Sequence, residues 1–166
     1  MKCRLRVRYI PRSTMDERLP RKAPTTVGPR SLSDYFEALS KAVFKSGISW
    51  GVVEARWGGL RSAFEGFDPA RVASFTPETV ERLMLNARIM RSRTKIEATV
   101  DNAAEIMAID REHGGFHNYL RTHAGFDEAV SDLTSRFRCL NGSGAYFFLQ
   151  VVGEPVPPRG ASALRG

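Results

Sequence analysis

Apolar residues recur along most of this chain at steps of three and four, the spacing of a helix with one face turned inward. The first stripe is Leu32, Tyr35, Phe36, Leu39 and Val43; Ser31 and Asp34 form a capping-box signature ahead of it and Gly47 ends it. Ser49 stands where a cap would open a second helix, with Trp50, Val53, Trp57, Leu60 and Phe64 as its stripe. Asp68 with Pro69, and Thr76 with Pro77, mark two consecutive helix starts, each a capping residue followed by proline at the first helical position. Val80, Leu83, Met84 and Ala87 line the buried side of the second. A longer helix is predicted from about Ser92 to Glu112, with Ile96, Val100, Ala103 and Met107 inward and Gly114 and Gly115 closing it. Phe116 to Arg121 predicts a short turn, and Phe126, Val130, Leu133 and Phe137 a further stripe.

That last stripe leads into Leu140 to Gly153, LNGSGAYFFLQVVG, where Gly142, Ser143 and Gly144 precede the apolar run Tyr146 to Leu149. This is the pattern of a tight turn between two helices. The body, residues 31–158, is therefore predicted all-α: a compact bundle of about seven or eight helices with a helix-hairpin-helix motif. Ahead of it, residues 1–30 read as a basic arm in which Pro11, Pro20, Pro24 and Pro29 punctuate a polar segment. Lys2 to Ile10 alternates apolar and basic residues with strand periodicity, but nothing in the chain offers it a partner. Residues 159–166 read as a frayed tail.

Charge changes the picture through its location. The net charge of +7 is contained in residues 1–30, where nine Lys or Arg face only Asp16 and Glu17. The rest of the chain balances, so contact with a polyanion falls to the arm and to local clusters on the body. Met15 offers a second start that would shorten the arm. Two cysteines, Cys3 and Cys139, make no disulfide framework and no paired metal-ligand spacing, which fits a reducing, cytoplasmic setting. No apolar run has the length of a bilayer span or the form of a signal peptide.

The glycine turn carries the candidate chemistry. Glycine permits positive φ and close backbone approach, so the amides from Ser143 to Tyr146 can point outward at the start of the last helix and suit a phosphate. Gly142, Ser143, Gly144 and Ala145 are the candidate contacts, with Arg136 and Arg138 just upstream adding charge. A second basic cluster is Arg88, Arg91, Arg93 and Lys95, of which Arg91 and Lys95 share a helix face. A turn that binds nothing and a solvated basic face account for the same residues.

Taken together, SGISW at 46–50, FEGFDPARVA at 64–73, VERLMLNARIMRSRTKIEATVDNA at 80–103 and AYFFLQVVG at 145–153 resemble the bacterial 3-methyladenine DNA glycosylase I family. The resemblance runs from Asp34 to Gly153, with several blocks in the same order and nearly the same spacing. It implies a helix-hairpin-helix glycosylase that flips an alkylated purine out of DNA and hydrolyses its N-glycosidic bond; no cofactor is expected for this chain, and with nothing in the sequence to suggest an obligate dimer, a monomer is expected. Trp50 falls on the family's pocket tryptophan, and Tyr146 is a second pocket candidate.

Three departures accompany the resemblance. The family's pocket glutamate lies eight residues before that tryptophan, a position held here by Ala42. Its zinc site, built from Cys and His at both ends of the domain, has no counterpart beyond Cys3, so no metal is expected. Its N-terminal tyrosine-bearing segment is replaced by the proline-rich arm. A cationic 3-methylated adenine is a good leaving group and needs no strong general acid, which keeps excision open; Glu154 and Asp101 are the remaining carboxylate candidates for activating water. The alternative is a non-catalytic DNA-binding or damage-recognition protein on the same scaffold.

Overall fold

The structure of the protein, a computed structural model, describes residues 28–158. Most of the basic arm, including Cys3 and the alternating segment, and the tail 159–166 lie outside the described residues. Eight α-helices make up the described part: α1 Leu32–Lys45, α2 Trp50–Ala63, α3 Pro69–Ala73, α4 Pro77–Leu85, α5 Arg93–His113, α6 Phe116–Leu120, α7 Phe126–Arg136 and α8 Gly142–Val151. The all-α bundle expected from the periodicity is the fold observed.

Local signals set most boundaries. Ser31 and Asp34 form the reciprocal capping box that opens α1. Asp68 caps α3 through the amides of Ala70 and Arg71, Thr76 caps α4 through Thr79, and both helices carry proline in the first turn. Ser49 and Ser92 stand at their N-cap positions without a side-chain cap bond. Gly114 closes α5 in the left-handed region, with φ 65°.

α1 and α5 organise the packing. α1 touches α2, α3, α5 and α8, while α5 touches α1, α3, α4 and α6. Because α5 is covered on several sides, its buried face is wider than the predicted stripe: Ile96, Ala98, Thr99, Asn102, Ala103, Ile106 and Ile109 are buried, whereas Val100 and Met107 are only half-buried. The two polar members of that face are satisfied, Thr99 by its bond to the Lys95 carbonyl at 2.7 Å and Asn102 by the hairpin described below. Between α2 and α3 the chain makes a turn at Glu65, Gly66 and Phe67, all with positive φ (54°, 69° and 58°). That backbone is costly for Glu65 and Phe67. It is offset by full burial of the Phe67 ring, stacked on Trp57 at 5.1 Å and on Phe64 at 5.5 Å. Trp57, expected in the core, is there, with its indole N–H donating to Glu37 at 2.9 Å.

A polar cluster fastens α6 to α7. Asp132 accepts from the Tyr119 hydroxyl at 2.8 Å, lies 2.9 Å from His123 Nε2, and pairs with Arg136. Burial alone would raise the Asp132 pKa, but the bonds from His123 and Tyr119 and the Arg136 charge outweigh it and hold the carboxyl below its ordinary range. Burial first, and then Asp132, push the Tyr119 phenol up. Asp132's contribution to stability is therefore present above the ordinary aspartate value and lost as pH falls through the lowered folded value. Tyr119's is present below the ordinary tyrosine value and lost as pH climbs through the raised one. In urea titrations we expect a smaller loss of stability between neutral pH and pH about 3 for Asp132→Asn than for the wild type. Equal losses would remove Asp132 from the acid limb.

Candidate functional site

Two turns meet at one end of the bundle: the end of α1 with the loop to α2, and the loop from α7 to α8. The last carbonyls of a helix have no intrahelical donor, and at α1 they are covered by other chain. Lys95, on α5, reaches the first of these turns and donates its ammonium to the carbonyls of Phe44, at 3.0 Å, and Ser46. Burial pushes its pKa down, with Cys139 acting the other way. Lys95 was expected on an exposed basic face; it is instead a fixed internal donor, and only Arg91 of that pair is exposed.

Two asparagines hold the hairpin. Asn102, buried on α5, donates to the Arg138 carbonyl at 3.0 Å and accepts from the Arg138 amide at 2.8 Å, so one side chain holds both backbone polar groups of one residue. Asn141 caps α8 by accepting from the Gly144 amide at 2.8 Å, and its own amide group donates to Ser46 Oγ at 3.1 Å. Neither residue is prominent in the sequence. Asn102 is nevertheless legible in register, four and seven residues before the buried Ile106 and Ile109, where a polar side chain must find an internal partner.

Of the two hairpin glycines, Gly144 acts by close approach, while a Cβ on Gly142 would meet nothing within 4 Å. A Cβ on Gly144 would stand 3.1 Å from Leu140 Cδ1, 3.3 Å from Asn141 Oδ1 and 3.5 Å from the Ala42 carbonyl. Positive φ in this loop belongs to Cys139, at 59°. The capping geometry also divides the predicted amide cluster. The amides of Gly144 and Ala145 are taken by the Asn141 side chain and carbonyl, and both residues are buried, while Gly142 and Ser143 are exposed at the tip. The two predicted arginines are turned to carboxylates of the bundle: Arg136 to Glu105 at 3.3 Å and to Asp132, and Arg138 to Asp101. Asp101 is thus engaged by an arginine. Glu154 lies just past α8, where its charge raises the Tyr35 pKa after the larger effect of burial.

Trp50 opens α2 and is half-buried. Its ring meets Phe147 of α8 edge-on, with centroids 5.3 Å apart. Ala42 is 1% exposed on α1, and its carbonyl faces Gly144. On α1, two lysines stand against Trp50, Lys41 immediately before Ala42 and Lys45 three residues after it. Lys45 Nζ stands 4.9 Å from the Trp50 centroid and 4.2 Å from that of Phe147. Lys41 Nζ stands 5.3 Å from Trp50, 5.1 Å from Trp57 and 2.7 Å from Glu54. Tyr146, one residue before Phe147, turns elsewhere: its ring meets Phe126 and its hydroxyl donates to the Pro157 carbonyl at 2.9 Å. The structure therefore brings Trp50 together with Phe147 and the lysines, and not with Tyr146.

Among the described residues no group of three or more Cys, His, Asp or Glu is placed to hold a metal ion. The segment after α8, Gly153 to Pro158, offers Glu154 as its single donor of that kind and no Cys or His. These residues do not fit the zinc site of the resembled family. What the structure offers at this end of the bundle is a half-buried tryptophan packed edge-on against Phe147, with Gly142 and Ser143 exposed at the start of α8.

A model of the methyladenine glycosylase family matches residues 28–153. The DNA-3-methyladenine glycosylase 1 of Escherichia coli (strain K12) is 30% identical over 100 residues, 60% of this chain and 54% of that protein. A DNA-3-methyladenine glycosylase of Haemophilus influenzae is 29% identical over 98 residues, 59% of this chain and 53% of that protein. The chain spans about half the length of these curated relatives. A crystal structure of 3-methyladenine DNA glycosylase I is similar with a TM-score of 0.66 and 25% identity, covering 78% of this chain and 81% of that one. The 3-methyladenine DNA glycosylase I of Staphylococcus aureus is similar with a TM-score of 0.70 and 23% identity, covering 78% and 80%.

The two asparagines predict unequal costs. Asn102→Ala removes the partner of a partly buried N–H and a partly buried C=O and is expected to destabilise by about 2–3 kcal/mol. Asn141→Ala removes one cap on an exposed turn, at about 1 kcal/mol. Chemical denaturation of both variants checks the order; the reverse order would mean that the hairpin is held mainly by its own cap.

Proposed function

Because the chain belongs to the methyladenine glycosylase family, we propose that it is a DNA repair glycosylase, which everts an alkylated purine nucleotide and hydrolyses its N-glycosidic bond. The observation that carries this reading is the position of Trp50, half-buried at the start of α2 and set edge-on against Phe147 of α8, the helix that follows the hairpin. The duplex is gripped at the tip, where the exposed Gly142 and Ser143 present the first amides of α8 to a phosphate. Arg91 adds a screened, sequence-independent attraction. Stacking on Trp50 offsets part of the cost of unpairing, and bond cleavage proceeds through an oxocarbenium-like sugar that water captures. Neither carboxylate candidate stands at Trp50: Asp101 is engaged by Arg138, and Glu154, past the end of α8 away from the hairpin, acts on Tyr35 near the start of α1. The substrate form is duplex DNA, bound by one copy of the chain in the cytoplasm.

One observation favours a second reading, a DNA-binding protein that recognises damage without excising it. Ala42 is buried beneath the hairpin, and Glu54, whose partner Lys41 lies against Trp50, is held in an ion pair.

Release of free base from methylated duplex DNA separates the two. We expect release by the wild type and a loss of about 10- to 100-fold in Trp50→Ala, the scale of one base-aromatic stack. Gly142→Pro removes one tip amide at a helix position that accepts proline, after an Asn141 whose backbone is already extended. It should weaken duplex binding and lower the salt slope by about one. Binding without release on a panel of alkylated duplexes would establish the second reading.

A further inference from the structure

From the way the loop between α4 and α5 is built, we infer that residues 86–92 form a second nucleic-acid contact, which holds a strand of the duplex through the guanidinium groups of Arg88 and Arg91. This rests on the duplex-binding reading and turns the general attraction of one arginine into a fixed contact at a second point. Ile89 and Met90 are buried, and the arginines on either side of them are exposed. Two apolar pegs thus set the loop and leave its charges at the surface. Asn86 Oδ1 accepts from the Arg88 amide at 2.9 Å, and Arg56 of α2 donates to the carbonyls of Ala87 at 3.2 Å and Ile89 at 3.3 Å. Gly59, also on α2, lies so close that a Cβ on it would stand 2.5 Å from the Arg88 carbonyl oxygen. Any larger residue there has to move the loop.

Both guanidinium groups are available. Among the described residues neither Arg88 nor Arg91 pairs with a carboxylate, whereas Arg93, just beyond them, is taken by Glu81 and Glu97. A groove of about 350 Å³ between α2 and the loop is lined by Gly58, Gly59, Ser62, Ala63, Asn86 and Arg88, with no carboxylate among them. An anion meets there a full positive charge, side-chain donors and a helix face of small residues that lets a backbone come near. The loop also leads into the first turn of α5, where Lys95 donates to the Ser46 carbonyl, while Ser46 Oγ accepts from Asn141 of the hairpin. Hairpin, α1–α2 turn and the start of α5 are thereby joined at one end of the bundle. A strand gripped at the hairpin tip alone can pivot about that point. A second backbone contact fixes its orientation while a nucleotide rotates out of the stack. The chemical class bound by the loop is thus a phosphodiester, taken without regard to sequence.

Salt dependence of binding provides the test, because the slope of log affinity against log salt counts the phosphates neutralised. The full chain is titrated with a duplex carrying one tetrahydrofuran abasic-site analogue. Arg88→Gln and Arg91→Gln should each make the slope shallower by about one, and the double variant by about two. Arg111→Gln is the control, an exposed arginine in the last turn of α5, about 27 Å along that helix from its start. It should leave the slope unchanged. Gly59→Ala removes no charge and should still move the slope toward that of the double variant; added to the double variant, it should move it no further. Thermal melts establish that each variant is folded, and the exposed arginines decide the inference by themselves if Gly59→Ala is not. An unchanged slope in the double variant, with Gly142→Pro still lowering it, would overturn the inference and leave the duplex-binding reading intact. An equal drop in Arg111→Gln would overturn it as well, since net charge alone would then be at work. A folded Gly59→Ala with the wild-type slope would overturn the role given to Gly59. If the wild type shows no salt-dependent binding of the duplex, the inference and the duplex-binding reading fail together.

Discussion

The architecture depends on a buried helix end. α1 finishes beneath the α7–α8 hairpin, and its last carbonyls have to find donors there or forfeit about 1–3 kcal/mol each. Lys95 supplies them from below, at the cost of partial desolvation of its own charge. With those carbonyls satisfied, the hairpin can settle on α1 closely enough for Gly144 to face the Ala42 carbonyl and for Asn141 to reach Ser46. Any bulkier or less polar arrangement at this junction would lift the hairpin off the bundle.

Everything assigned to function hangs from that junction. The two bonds from Asn102 to the Arg138 backbone fix where the hairpin stands. Contact between Phe147 and Trp50 fixes the ring plane relative to it. The same packing sets the Lys45 ammonium against both rings.

The helices were legible because their signals are local: a capping box at Ser31, proline after Asp68 and Thr76, a left-handed glycine at 114, and apolar stripes in register. The hairpin was legible as a turn. What escaped were choices settled by partners far away in the chain. Lys95 carries the same exposed-looking spacing as Arg91, yet its ammonium ends on carbonyls about fifty residues upstream. Arg136 and Arg138 follow the same logic, drawn to carboxylates of α5 that no local pattern connects to them. Tyr146 and Phe147 are adjacent aromatics in one apolar run, and only the rotation of α8 decides that Phe147 meets Trp50 while Tyr146 bonds Pro157.

The central claim is that Trp50 receives the everted base. In a Trp57→Phe background Trp50 is the sole tryptophan, and the substituted ring can keep its stack on Phe67. The most direct measurement is Trp50 emission during titration with a duplex containing one alkylated purine, beside the unmodified duplex. The account predicts saturable quenching that is deeper with the modified duplex. Emission unchanged by a modified duplex that demonstrably binds would contradict it.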